Sequence, residues 1–120
     1  MRQIADIIAF EPDLLFSSRI DSAAAKAGFT VVVFDNLDEF LKEAEQSTPE
    51  VAVVNLDAAV GKFSGLEGLA RTPSCKVVGY YSHVNSSLAE EAQRTGISAV
   101  FPRGAFASKI EALLREFASG

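Results

Sequence analysis

The sequence predicts an α/β domain in which five parallel strands are wound on both faces by helices, and three observations carry that prediction. Short β-branched or aromatic runs alternate with amphipathic helical patterns five times in 120 residues, which calls for parallel strands joined by right-handed crossovers. The run Val51 to Val54, unbroken and apolar between Pro49-Glu50 and the polar tip Asn55-Leu56-Asp57, reads as a central strand buried on both faces. Helix signals fall at the joints: Asn36 with Glu39, Ser87 with Glu90 and Ser108 with Glu111 form capping-box patterns, while Gly28 and Gly96 supply stops. With 48% hydrophobic residues, the chain fits one domain over 1–120 with a real core.

In chain order, Gln3 to Phe10 is the first strand, apolar after Gln3 except for Asp6, and Glu11-Pro12 breaks it. Proline suits the first turn of a helix, and Leu15, Ile20, Ala23, Ala24 and Ala27 follow at helical spacing up to Gly28. Phe29 to Phe34 is the second strand; Leu37, Phe40, Leu41 and Ala44 then give the second helix its apolar face. After the central strand, Ala58 to Gly65 reads as an exposed loop before a short helix at Leu66 to Arg71, ended by Thr72-Pro73. Lys76 to Tyr81 is the fourth strand, followed by Ser82, His83 and a fourth helix from Ser87 to Thr95. Ala99 to Phe101 is a short fifth strand, Pro102 to Ala107 a loop, and Ile110, Leu113, Leu114 and Phe117 the buried face of the last helix.

Composition excludes several functions. Eleven basic against sixteen acidic residues give a charge of −5 with no basic cluster in sequence, which disfavours nucleic acid and anionic membrane surfaces. Cys75 has no disulfide partner, and one histidine with one cysteine falls short of a zinc ligand set. Neither a signal-peptide pattern nor a membrane-length apolar run is present, so a cytoplasmic location is expected. Gly61, Gly65 and Gly68 lack the spacing of a phosphate-binding fingerprint, and His83 reads as a polar loop residue.

Ligands of open α/β sheets gather beyond the carboxyl ends of the strands, so Asn55 and Asp57 are the first candidates for chemistry. Four landmarks fall in order along the chain: Ala27-Gly28-Phe29, Pro49-Glu50, Gly65-Leu66-Glu67 and Thr95-Gly96-Ile97. On these the chain resembles, over nearly its full length, the receiver domain of two-component response regulators, a flavodoxin-like (βα)5 fold. The resemblance implies a phosphorelay signalling module, with a pair of acids ending the first strand, a phosphoacceptor aspartate ending the third, a hydroxyl ending the fourth and a Lys-Pro after the fifth. Here the acid pair falls on Phe10 and Glu11, the acceptor on Asn55, the hydroxyl on Tyr81 with Ser82 next, and the lysine on Arg103, which Pro102 precedes. The family's aromatic switch position falls on Val100, beside Phe101.

These departures change the expected chemistry. The neutral Asn55 amide cannot form the labile acyl phosphate of an aspartate, and Mg²⁺ loses two of three anionic ligands, leaving Glu11. The expectation is a pseudo-receiver: no enzyme, no cofactor, a protein-interaction module, with Arg103 pairing to Glu11 or Asp57. The alternative is a phosphorylatable receiver using Asp57 and Glu11 with weakly held Mg²⁺. Tyr81 either packs over the space of the missing phosphoryl group or faces a partner. By the resemblance, a signalling partner or a second copy meets the fourth helix, fifth strand and fifth helix, where Phe106, with Phe101 or Tyr81, is an interface anchor unless it tucks under the last helix as core.

Overall fold

A computed structural model describes residues 5–82, 87–97 and 99–118 of the chain; His83 lies outside them. The five strands are β1 (Ile7–Phe10), β2 (Val31–Phe34), β3 (Val51–Asn55), β4 (Lys76–Tyr81) and β5 (Ala99–Pro102). They form one parallel sheet in the order β2-β1-β3-β4-β5, with β3 central. The helices are α1 (Leu14–Ala27), α2 (Leu37–Ser47), α3 (Ser64–Ala70), α4 (Ser87–Thr95), α5 (Arg103–Ser108) and α6 (Ile110–Ala118), with a 3-10 turn at Asp57–Ala59. This is the predicted doubly wound α/β class.

Each face of the sheet has its own core. One face buries Ile8, Phe10, Ala52 and Val54 under Phe40 of α2, Leu66 of α3 and Leu88 of α4. The other buries Ile7, Ala9, Val51, Val53 and Tyr80 under Phe16 and Ile20 of α1, Phe106 of α5 and Leu114 of α6. Successive side chains of a strand point to opposite faces, so β1 and β3 feed both cores and are apolar up to Asn55 at the end of β3.

The local signals explain the joints. Asp13 caps α1, its carboxylate accepting the Leu15 N–H at 2.9 Å, and Gly28 ends the helix at φ 86°, a left-handed turn that glycine adopts without strain. Asn36 accepts the Glu39 N–H at 3.0 Å, as its capping pattern predicts. Asp6, the one charged residue of the predicted first strand, accepts both the N–H and the hydroxyl of Thr30 at 3.0 Å, tying the entry of β1 to that of β2.

Four expectations are corrected. In α1 the buried stripe is Phe16, Ile20 and Ala24, whereas Leu15 stands 81% exposed. Ala58 to Gly65 is no simple exposed loop: it contains the end of the 3-10 turn and the start of α3, and Ala59 and Phe63 are buried. The predicted loop Pro102 to Ala107 is largely helix α5. Ser108 does not cap the last helix; its hydroxyl donates back to the Ala105 carbonyl at 3.0 Å, closing α5 instead.

Candidate functional site

The carboxyl ends of β1, β3, β4 and β5 bring Glu11, Asn55, Ser82 and Arg103 to one edge of the sheet. Glu11 follows directly on β1 and is buried, 2% exposed, so its carboxyl group must be satisfied internally. Asn55, the last residue of β3, donates through Nδ2 to both Glu11 oxygens at 3.0 Å. The Tyr80 hydroxyl donates to Glu11 Oε1. The Asp13 backbone N–H donates to Glu11 Oε2 at 3.0 Å, while Asn55 Oδ1 accepts the Ala58 N–H at 3.2 Å. Three donors thus converge on one acceptor, a set that suits a carboxylate in its acceptor-only form.

Tyr80 is the residue that sequence reasoning missed. The register pairs Asn55 with Tyr80, which puts the Tyr80 phenol, and not that of Tyr81, next to Glu11. Burial first, then the Glu11 hydrogen bond and the Glu11 charge, push the phenol pKa far up, so it stays a donor. Its ring stacks on Phe106, with centroids 4.6 Å apart at 13°, and lies 5.1 Å from Phe16. The polar pocket is therefore seated on an aromatic cluster shared by β4, α1 and α5.

The remaining predicted residues divide. Phe10 does not face the pocket: its ring enters the opposite core, 6.1 Å from Phe40, because it precedes Glu11 on the alternating strand. Asp57 opens the 3-10 turn and accepts the Ser82 N–H at 2.8 Å, linking the loop after β3 to the end of β4. Tyr81 is half-buried against the Phe10 side of the core, and Phe101 is half-buried on the Tyr80 side.

Arg103 reaches neither Glu11 nor Asp57 as an ion-pair partner. Its guanidinium pairs with Asp13 at 3.5 Å and lies 4.4 Å over the Phe16 ring. Phe106 is fully buried, so it is core and not an exposed anchor; the first turn of α5 rotates it inward.

A receiver-type Mg²⁺ site does not fit this arrangement. Asn55 turns its NH₂ group toward Glu11, and an amide nitrogen is no ligand for a hard cation. Both Glu11 oxygens already accept from N–H or O–H groups, and the second acid of the pair is Phe10. Among the described residues no three His, Cys, Asp or Glu side chains group as a metal set.

No protein-family model matches the chain, and no curated protein matches it. Solved structures do. A response regulator from Thermotoga maritima is 13% identical, with 95% of this chain and 97% of that one covered and a TM-score of 0.78. The receiver domain of a sensor histidine kinase from Pseudomonas aeruginosa, solved with a magnesium ion in its active site cleft, is 9% identical over 97% and 98% of the two chains, with a TM-score of 0.78. A CheY-like protein from Pseudomonas aeruginosa is 24% identical over 92% and 97%, with a TM-score of 0.72. With the strand order β2-β1-β3-β4-β5, these likenesses over nearly the whole chain show that it has the fold of response regulator receiver domains.

Proposed function

We propose that this chain is a pseudo-receiver: a cytoplasmic protein-interaction module of two-component-type signalling whose strand-end pocket is not phosphorylated. The observation that carries the reading is the Glu11 carboxyl closed off by Asn55, Tyr80 and the Asp13 N–H. Phosphoryl transfer to a receiver needs a free carboxylate nucleophile at the end of β3 and a cation to neutralise the incoming phosphate. At that position stands Asn55, a neutral side chain whose NH₂ serves as a structural donor. The arginine at the lysine position is engaged by Asp13 and the Phe16 ring. Binding of partners, not chemistry, is then what the domain offers. A surface made by α4, β5 and α6, the last helix, retains Tyr81 and Phe101 nearby as half-buried aromatics, without Phe106.

The test is incubation with acetyl phosphate and magnesium followed by intact mass measurement. The expected result is no added phosphoryl mass. Stoichiometric labelling that disappears in Asp57→Ala would instead establish the alternative, a receiver phosphorylated on Asp57 with Glu11 as metal ligand.

A further inference from the structure

The charge of this acidic chain is unevenly placed, and the imbalance has a shape. Between α1 and the α5–α6 corner runs an open groove of about 650 Å³. Arg19, Lys26, Lys109 and Arg115 line it, against one acid, Glu111, in a chain whose net charge is −5. Arg115 is engaged, donating to Glu111 at 2.8 Å and to the Lys26 carbonyl at 3.1 Å, so the acid of the groove is already neutralised. Arg19, Lys26 and Lys109 are exposed and have no carboxylate partner among the described ion pairs. At its upper end the groove runs into a second one of about 320 Å³, which shares Arg19 and adds Arg103. Small residues, Ser22, Ala23 and Ala112 among them, sit between the cations.

We infer that this groove docks an acidic helical segment of a partner protein. Arg19 and Lys26 are seven residues apart on α1, two turns along one face, so they present a straight row to a helix laid alongside. Small side chains let a third helix approach closely, and the cations at the rim meet its acids. Charge complementarity of this kind sets orientation and on-rate. A nucleic acid fits less well: the basic footprint is short, and the chain as a whole carries a net charge of −5. The inference rests on the reading of the chain as an interaction module; the phosphodonor assay tests the silent pocket separately, because Lys26 and Lys109 take no part in it.

The experiment titrates the full chain, labelled with ¹⁵N, with a fluorescent Glu-rich amphipathic helical peptide of about 18 residues. Controls are the same peptide with Lys for Glu and a single-stranded oligonucleotide. Saturable binding is expected for the acidic peptide alone, with shifted amides confined to residues 18–26 and 107–115. It should weaken about tenfold when salt rises from about 0.05 M to about 0.3 M, and at least as much in the Lys26→Glu/Lys109→Glu double variant. The Lys26→Gln/Lys109→Gln pair should show a smaller loss at an unchanged melting temperature. Absence of saturable binding, shifts on other faces, equal binding of the Lys peptide, or tighter binding of the oligonucleotide each overturns the proposal.

Discussion

Asn55 holds the strand-end pocket through its side-chain amide, whose Nδ2 donates to both oxygens of a buried Glu11 at 3.0 Å. Asn55→Asp is nearly isosteric, so it opens no cavity; it exchanges the donor for an acceptor and sets two carboxyl groups against each other in a buried place. Losing a hydrogen bond to a charged group and setting a second buried carboxyl group against it, with only Tyr80 and the Asp13 N–H left as donors, costs on the order of 3 kcal/mol. We expect Asn55→Asp to lower the urea unfolding free energy by about that amount, and Tyr80→Phe, which removes one donor of three, to lower it by about 2 kcal/mol. An Asn55→Asp variant as stable as the parent would show that Glu11 is not held in this way. The position of Asn55 and Glu11 was legible from the ends of the first and third strands. Tyr80 was not: Val77, Val78 and Tyr80 are all buried on one face or the other, and in such a strand hydrophobicity does not alternate, so it cannot report which of two adjacent tyrosines points at the pocket.

Helix α5 is the element that most changed between sequence and structure. Six residues form too short a helix to announce itself by periodicity or propensity, and its Gly104 weakens the signal further. What fixes it is packing: Phe106 enters the space between Tyr80 and Phe16, stacked on the first at 4.6 Å and 6.3 Å from the second. Phe106→Ala is therefore expected to cost about 3 to 5 kcal/mol, as for other fully buried Phe truncations, while sedimentation shows unchanged association. A small stability loss accompanied by lost self-association would return Phe106 to the surface. Helix α1 carries the same lesson, because three consecutive apolar residues, Leu14, Leu15 and Phe16, start it. Sequence allows any of them to lead the buried stripe; the sheet accepts Phe16, whose ring also serves Arg103 and Tyr80.

At the scale of the molecule, two cores share one sheet, and the central strand contributes alternately to both: Ala52 and Val54 to one, Val51 and Val53 to the other. Neither core can be lost without exposing the back of the strands that hold the other, so unfolding should be a single cooperative transition. Urea curves followed by far-UV circular dichroism and by tyrosine emission from Tyr80 and Tyr81 are expected to coincide; separated midpoints would mean that the α1–α6 side and the α2–α4 side melt independently. Among the described residues no helix is long and apolar enough to cross a membrane. The sequence by itself determined the alternation of strands and helices, the central place of Val51 to Val54, the helix ends marked by Gly28, Asn36 and Gly96, and the absence of an acid at Phe10 and Asn55, because each is written in local pattern and residue type. Only the tertiary structure decided that Tyr80 and not Tyr81 meets Glu11, that Arg103 turns to Asp13, that Phe106 is core, and that basic residues scattered from Arg19 to Arg115 converge on one groove. Those outcomes depend on strand register and on contacts between residues far apart in the chain, and neither leaves a mark in the neighbouring sequence.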